Sequence, residues 1–228
     1  MQKKNKIAVL ILAAGIGKRA KSKQAKQFVM IKDKPLLVHT IQNFLNYSKV
    51  LDIYIVLQKQ AMDICQNLLN EYFPKENIAL LEGGKERFHS TQNALLQIED
   101  YDKILIHDAA RPFISKRLLD EGLKALDEHI AAIPVFHITD SLRTIDNDGK
   151  SKIVNRENYV SVQTPQFFQG KTIKRVFKNR DFQSHYSDDA SVLEDAGYRI
   201  HLFEGDRNNI KITYPIDFKF GELILNSL

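Results

Sequence analysis

Short apolar runs rich in β-branched residues alternate with segments whose apolar residues recur at helical spacing, and this alternation most constrains how the chain can fold. It predicts βα units on a mostly parallel sheet, and therefore an α/β fold. Because the runs are apolar at nearly every position, helices are expected on both faces of that sheet. The predicted strands are residues 6–13, 51–57, 78–81, 103–107 and 131–136.

Three amphipathic helices are predicted between these strands, because apolar residues fall on one helical face in each segment. The faces contain Leu36, Leu37, Thr40, Ile41, Phe44 and Leu45, then Met62, Cys65, Leu68, Leu69 and Tyr72, and then Phe88, Thr91, Leu95 and Ile98. After residue 137 the pattern becomes polar, and Asp148-Gly149 indicates a turn. Residues 137–163 are therefore predicted to form an extended hairpin that projects from the sheet, which we name the arm.

The rest of the chain is predicted to complete a single domain spanning residues 1–228. Helices are expected around residues 171–178, from Ser187 onward and over residues 215–225, with a strand at residues 198–203. A polar loop from Gly205 leads into a predicted short strand, where alternation places Lys211 on the face opposite Ile210 and Ile212.

Composition narrows the class of protein. The hydrophobic fraction of 43% and the charged fraction of 27% are typical of a globular domain. No apolar run approaches the length of a membrane-spanning helix. The lone Cys65 fits a reducing compartment, so a cytoplasmic protein is expected. Lysines before the first apolar run imitate a signal peptide, but Gly15, Gly17 and a basic cluster after it favour a strand entering a phosphate loop.

The net charge of +5 is concentrated at one end of the chain. Residues 1–34 contain ten lysine and arginine residues against Asp33 alone, so the remainder of the chain is net acidic. This distribution favours a local anion site over a surface that binds nucleic acid. A non-catalytic nucleic-acid binder is therefore a disfavoured alternative.

Gly15, Gly17 and Ala20 match the dinucleotide-binding pattern G-x-G-x-x-A after the first strand. That pattern also needs an acidic residue at the end of the second strand, where Gln58 and Lys59 stand instead. The cations that follow the turn suit a triphosphate. A nicotinamide-dependent oxidoreductase stays open as an alternative of a different class.

Two further segments follow strand ends, where open α/β sheets bind ligands. Gly83-Gly84 precedes a helix containing Ser90, and its amides are candidates for contacting a nucleotide. Asp108 suits a divalent cation or a ribose hydroxyl, and Arg111 suits a phosphate, although an ion pair between the two is the simpler interpretation. His107 is predicted to be a packing or hydrogen-bonding residue. Ser187-Asp188-Asp189 is interpreted mainly as a helix N-cap.

The chain resembles the 2-C-methyl-D-erythritol 4-phosphate cytidylyltransferase family over nearly its whole length. The resemblance rests on the segments Ala13-Ala14-Gly15-Ile16-Gly17-Lys18-Arg19, Lys26-Gln27, Gly83-Gly84, His107-Asp108-Ala109-Ala110-Arg111-Pro112, Thr164-Pro165-Gln166 and Asn209-Ile210-Lys211-Ile212-Thr213, in that order. The glycine loop and the His-Asp-Ala-Ala-Arg-Pro segment also resemble ribitol 5-phosphate cytidylyltransferases, which are the alternative within this class.

The resemblance implies a Rossmann-like nucleotidyltransferase domain, similar to the GT-A fold, whose arm exchanges contacts in a homodimer. It implies that methylerythritol phosphate attacks the α-phosphorus of Mg-CTP in non-mevalonate isoprenoid synthesis, which gives CDP-methylerythritol and pyrophosphate. The implied cofactor is a divalent metal ion, Mg²⁺, with Asp108 as its candidate ligand. Neither nucleic acid nor a membrane is an implied partner.

Matching residue by residue also implies roles. Arg19 and Lys26 would stabilise the transition state, while Arg156 from the partner's arm and Lys211 would position the sugar phosphate. The residues implied to hold CTP are Ala13, Ala14, Gly15, Gly17, Gly84, Ser90, Asp108 and Ala109, with Arg111 and Ser141 as weaker candidates. The chain departs from the family at Ala25, where proline is usual, and at Ser141, where threonine is common. Because nothing follows Leu228, the fused synthase domain of some relatives is expected to be absent.

Overall fold

The computed structural model describes residues 5–15, 25–179 and 186–227. Its centre is an eight-stranded sheet, whose strands are β1 (Ile7–Leu12), β4 (Asp52–Leu57), β5 (Ile78–Glu82), β6 (Lys103–Asp108), β7 (Ala131–His137), β10 (Val160–Val162), β11 (Gln166–Gln169) and β12 (His201–Glu204). Across the sheet the strand order is β10, β7, β11, β6, β1, β4 and β5, and β12 also pairs with β7. Within this sheet, as far as the structure describes it, only β10 and β11 run antiparallel to their neighbours. The predicted α/β fold with a mostly parallel sheet is confirmed.

Seven α-helices and two small strand pairs accompany this sheet in the described part of the chain. The helices are α1 (Leu36–Leu45), α2 (Met62–Tyr72), α3 (Arg87–Gln97), α4 (Lys116–Ala125), α5 (Gly170–Lys178), α6 (Asp189–Asp195) and α7 (Pro215–Ser227). The pairs are β2 (Met30–Ile31) with β3 (Lys34–Pro35), and β8 (Arg143–Ile145) with β9 (Ser151–Ile153). The three helical faces expected in the first half of the chain correspond to α1, α2 and α3.

The helices cover both faces of the sheet because the central strands are apolar on both sides. In β1, Ile7, Val9 and Ile11 pack into a cluster with residues of α1, α2 and α4. Ala8 and Leu10 point the other way and pack with residues of α3, α5 and α6. Burial on both sides explains why the strand sequences lack a polar alternation.

The starts of two elements, the extent of the arm and one predicted strand differ from the sequence prediction. The predicted strand at residues 198–203 begins only at His201, and α6 begins at Asp189 with Asp188, not Ser187, as its N-cap. The arm is shorter than expected, because β10 pairs with β7 and so belongs to the central sheet. The predicted strand around Lys211 is wrong, since no ladder forms there; Ile212 makes a single backbone hydrogen bond to Ala110, at 2.8 Å.

Parallel pairing brings the carboxyl ends of four strands to one edge of the sheet. Leu12 at the end of β1 is in register with Asp108 on one side and Val56 on the other, and Leu57 is in register with Glu82. The segments that follow these residues therefore gather at this edge, which is where open α/β sheets bind ligands.

Candidate active site

The glycine turn after β5 packs directly against the end of β4 and the loop after β1. The Gly83 amide donates to the carbonyl oxygen of Leu57 at 2.6 Å. A Cβ on Gly83 would lie 2.9 Å from the Cβ of Ala14, and a Cβ on Gly84 would lie 2.5 Å from that of His89. Neither position has room for a side chain, so Gly83 lets the turn approach the loop after β1 and Gly84 lets it approach α3.

Two side chains hold the backbone of this turn. The Gly84 amide donates to Ser90 Oγ at 3.0 Å, and that hydroxyl lies 3.1 Å from the carbonyl oxygen of Glu86, to which it donates. Gln58 Nε2 donates to the Gly84 carbonyl at 3.0 Å. Ser90, on the first turns of α3, is therefore a support for the turn, and it also lines the cleft.

The loop after β1 is fixed from both sides. The Ala13 amide donates to the Val56 carbonyl at 2.8 Å, and the Ala13 carbonyl accepts from Gln27 Nε2 at 2.7 Å. The Lys26 ammonium donates to the Ile212 carbonyl at 2.7 Å, so it lies next to the segment that contains Lys211. Gly17 and Arg19, both predicted site residues, lie outside the residues that the structure describes.

Asp108 ends β6 beneath three cations. Its carboxylate lies 2.8 Å from Lys211 Nζ, 3.4 Å from Arg87 Nη2 and 3.7 Å from Arg111 Nε. Burial alone would raise the pKa of this carboxyl, but the three cations together hold its pKa well below the usual range. Asp108 is therefore an anion at neutral pH, and its ion pair with Arg111 is one of several.

His107 is a structural residue, as predicted from the sequence. It is fully buried, with Nε2 2.9 Å from the Arg111 carbonyl and Nδ1 3.0 Å from Thr164 Oγ1. Because a carbonyl only accepts, Nε2 carries the proton and Nδ1 accepts from the hydroxyl. Thr164 Oγ1 in turn accepts from the Asp108 amide at 3.1 Å. Burial lowers the pKa of His107 to about 3, so the ring is neutral.

Arg87, the first residue of α3, links Asp108 to a second buried carboxylate. Its Nη1 lies 2.6 Å from Asp189 Oδ2, and Asp189 is fully buried at the start of α6. Burial opposes the charge on Arg87, but the two carboxylates outweigh it and raise the pKa of the guanidinium. The helix-cap interpretation of this segment is confirmed, since Asp188 accepts from the Ser191 amide at 2.9 Å.

These elements enclose a cleft of about 650 Å³, a volume typical of small-ligand sites. It brings together nine of the predicted site residues, namely Ala13, Ala14, Gly15, Lys26, Gly84, Ser90, Asp108, Ala109 and Lys211. Arg111 lies behind Asp108 and does not line the cleft; its Nη1 donates to the Asn209 carbonyl at 2.8 Å. Arg156 and Ser141 are exposed on the arm and are not among the cleft residues of the same chain.

The sequence analysis missed Arg87 and gave Asp189 only a structural role. For Arg87 a usable signal existed, since this arginine stands three residues after Gly84 and at the start of a predicted helix. Nothing local indicated that Asp189 would be its partner. Gln58, Lys85 and Glu86 also line the cleft without having been predicted.

The described part of the chain contains neither a metal-ligand cluster nor a membrane-spanning helix. Residues 5–15, 25–179 and 186–227 contain no group of three histidine, cysteine or acidic side chains placed to hold a metal ion. Within the same ranges, no helix combines the length and the apolar character that crossing a membrane requires.

Curated relatives match this chain over nearly its whole length. A curated relative from Bacteroides thetaiotaomicron, named 2-C-methyl-D-erythritol 4-phosphate cytidylyltransferase, is 36% identical over 220 residues, which cover 96% of this chain and 100% of the relative. A relative of the same name from Clostridium novyi is 36% identical over 227 residues and covers 98% of both chains.

Solved structures give the same result. The structure of 4-diphosphocytidyl-2C-methyl-D-erythritol synthase from Anaerococcus prevotii superposes with a TM-score of 0.85 at 26% identity, and covers 98% of this chain and 100% of that one. The cytidylyltransferase of Thermus thermophilus superposes with a TM-score of 0.78 at 28% identity, over 96% and 98% of the two chains. The family model for 2-C-methyl-D-erythritol 4-phosphate cytidylyltransferase matches residues 7–227, and the chain belongs to this family of nucleotidyltransferases.

Proposed function

We propose that this protein transfers the cytidylyl group of CTP to 2-C-methyl-D-erythritol 4-phosphate and releases pyrophosphate. The observation that carries the proposal is the cleft at the carboxyl edge of the sheet, where two close-packed turns meet Lys26, Asp108 and Lys211. Cations converging on one cleft beside these turns suit a nucleoside triphosphate. Gln58 stands where a dinucleotide-binding enzyme would need an acidic residue, which disfavours an oxidoreductase.

CTP would lie between the turn after β1 and the turn after β5. We assign its binding to Ala13, Ala14, Gly15, Gly84, Ser90, Asp108 and Ala109, with Gly17 as a further candidate. Arg111 would act from behind the cleft, because it contacts Asp108 and the Asn209 carbonyl. Close backbone packing supports this assignment, since a base or a phosphate approaches main-chain amides most easily where side chains are small.

The chemistry needs no activated nucleophile from the protein. A phosphate oxygen of the acceptor forms a bond to the α-phosphorus of CTP, and the bond from that phosphorus to the β-phosphate oxygen breaks, so pyrophosphate leaves with its electron pair. A phosphate monoester is already anionic, which agrees with the neutral, buried state of His107. The protein contributes positioning and stabilisation of charge, and we assign the latter to Lys26 and Arg19.

A divalent cation, which we propose to be Mg²⁺, would enter with the triphosphate. Mg²⁺ is usually bound by one or two carboxylates together with substrate phosphates. Asp108 fits this pattern, because it is an ionised carboxylate at the floor of the cleft. Bound there, the ion would neutralise negative charge on the phosphates. Asp108 would hold it, and the surrounding cations would orient the carboxylate.

We further propose that the arm acts across a homodimer. Both strands of its hairpin are exposed at every residue, and Ile145 and Ile153 are 75% and 72% exposed. An isolated two-stranded hairpin with exposed apolar residues is marginally stable in water. Packing against a second copy would cover these residues. It would also carry Arg156 and Ser141 towards the partner's cleft, where Arg156 would position the sugar phosphate with the partner's Lys211.

The test is pyrophosphate release from Mg-CTP with 2-C-methyl-D-erythritol 4-phosphate, with D-ribitol 5-phosphate, and without an acceptor. We expect release with the first acceptor alone. Release with ribitol phosphate alone would assign the protein to the pentitol phosphate enzymes. The absence of release with either acceptor would contradict the proposed transfer.

A further inference from the structure

Arg87 makes contacts of different lengths with two buried carboxylates. Its Nη1 lies 2.6 Å from Asp189 Oδ2, whereas Nε and Nη2 both lie 3.4 Å from Asp108 Oδ1. A charge-assisted hydrogen bond between a guanidinium and a carboxylate is normally about 2.7–2.9 Å long. Arg87 is therefore held firmly by Asp189 and only loosely by Asp108, although its Nε–Nη2 edge faces Asp108.

Asp189 is itself fixed in place. Its other oxygen, Oδ1, accepts from Thr91 Oγ1 at 2.7 Å. The Asp189 and Ala190 amides both donate to Gln166 Oε1, at 3.1 and 3.0 Å. Gln166 lies on β11 in register with Ile106 of β6. Gln166 therefore fixes Asp189 relative to β6, the strand that carries Asp108.

We propose that Asp189 is a positioning residue of the nucleotide cleft: by holding Arg87 through Nη1, it limits Arg87 to long contacts with Asp108 and leaves that carboxylate able to exchange its cations for the bound nucleotide and its metal ion. This inference rests on the proposed function, because it assumes that Asp108 contacts the nucleotide. Asp189 is 0% exposed and does not line the cleft, so it acts through Arg87.

The charge balance explains why the restraint matters. Arg87, Arg111 and Lys211 all face Asp108. Without the negative charge of Asp189, Arg87 would keep Asp108 as its carboxylate partner and would close to a short, bidentate pair with it. A ligand that needs the Asp108 oxygens would then have to displace a much stronger contact.

The kinetic test uses Asp189→Asn, Arg87→Gln and the double variant, with KM for CTP, KM for the sugar phosphate and kcat measured for each. We expect Asp189→Asn to raise KM for CTP about tenfold, with KM for the sugar phosphate nearly unchanged. In the Arg87→Gln background the same substitution should add nothing, because Asp189 acts through Arg87. An unchanged KM for CTP in Asp189→Asn, or independent losses that multiply in the double variant, would overturn the proposal.

Two variants separate positioning from folding. Ser191→Ala removes the hydroxyl that donates to the Asp188 carbonyl on the same helix and leaves the contacts of Asp189, Gln166 and Arg87 in place, so it should leave KM for CTP unchanged. Thr91→Val removes one hydrogen bond to Asp189 and keeps the ion pair, so it should raise KM for CTP by a smaller factor than Asp189→Asn. If Asp189→Asn fails to fold, Thr91→Val carries the test. An effect of Ser191→Ala on KM as large as that of Asp189→Asn would indicate a merely structural role.

A readout without turnover keeps the proposal distinct from the reaction. The nitrogen-15 and proton shifts of the Arg87 Nε–H group, identified by its absence in Arg87→Gln, report the length of its contact with Asp108. We expect this signal to move in Asp189→Asn and to stay in place in Ser191→Ala. No movement would refute the arrangement even in an active enzyme, whereas a protein that moves the signal but releases no pyrophosphate would refute only the proposed function.

Discussion

Lys211 Nζ lies 2.8 Å from Asp108 Oδ2. This contact joins the segment before the last helix to the carboxyl end of β6. The two partners differ in environment, since the Lys211 side chain is 39% exposed and that of Asp108 is 11% exposed. The ion pair therefore has one buried partner and one that is accessible from the cleft, so Lys211 is the member that can turn towards an incoming phosphate.

If Lys211 positions the sugar phosphate, Lys211→Ala should lower kcat/KM for that substrate about a hundredfold, because the loss of a hydrogen bond to a charged group costs about 1.5–3 kcal/mol. KM for CTP should change less. Lys219→Ala, an exposed lysine on α7, is the matched control. Steady-state kinetics with each substrate varied in turn would check this, and equal losses for both substrates would contradict the assigned role.

Lys26→Ala should lower kcat by about 10²–10³ if this ammonium stabilises charge that develops in the transition state. Its hydrogen bond to the Ile212 carbonyl holds the side chain at the cleft in the free protein. Lys34→Ala removes a nearby lysine whose contact is Gln42, outside the cleft, and should leave kcat unchanged. A raised KM with an unaltered kcat would mean that Lys26 binds the substrate without stabilising the transition state.

Mixing inactive subunits should test the role of the arm. If Arg156 works in the partner's cleft, a mixture of Arg156→Ala and Lys26→Ala proteins should form some dimers with one intact site, and pyrophosphate release should recover in part. Subunit exchange would be established separately by mass measurement of tagged chains. Exchange without recovery would place Arg156 outside the partner's site.

His107 should make the stability of the protein depend on pH. Its pKa is about 3 in the folded chain, because of burial, and about 6.5 when unfolded. The unfolded state therefore binds the proton first, so this contribution is complete above pH 6.5 and is lost as the pH falls towards 3. Between pH 6 and pH 5 the free energy of unfolding should fall by about 1 kcal/mol more than in His107→Gln.

Urea titrations at several pH values would measure that slope. His137→Gln, which changes an exposed histidine, serves as the control and should keep the slope of the unaltered protein. Identical slopes for His107→Gln and the unaltered protein would mean that folding does not lower the pKa of His107.

Elements with a strong local pattern were predictable. β1 and β4 are continuous apolar runs, and α1 presents one apolar face, so their types and approximate bounds followed from hydrophobic periodicity. β11 was not predicted, because it is a strand of only four residues that lies between β6 and β7 and pairs antiparallel with both. The segment around Lys211 alternates like a strand but finds no partner strand, since its neighbours are Ala110 and the cleft.

The residues of the candidate site were likewise predictable only in part. Gly83-Gly84, Lys26, Asp108 and Lys211 were recognisable as chemistry-bearing residues, and their positions after strand ends predicted that they would meet at one edge. Which charges pair was not predictable, because pairing depends on distances between segments far apart in the chain. Asp189 illustrates this, since it reads locally as part of a helix cap and yet binds Arg87.

Local periodicity and turn chemistry, which act over a few residues, were enough to determine the α/β architecture and the glycine turns. The tertiary structure alone decided that Asp108 is shared by three cations, that His107 is neutral and that Asp189 restrains Arg87. The physical reason is that burial and charge pairing set these states, and both arise only when distant segments pack together and exclude water.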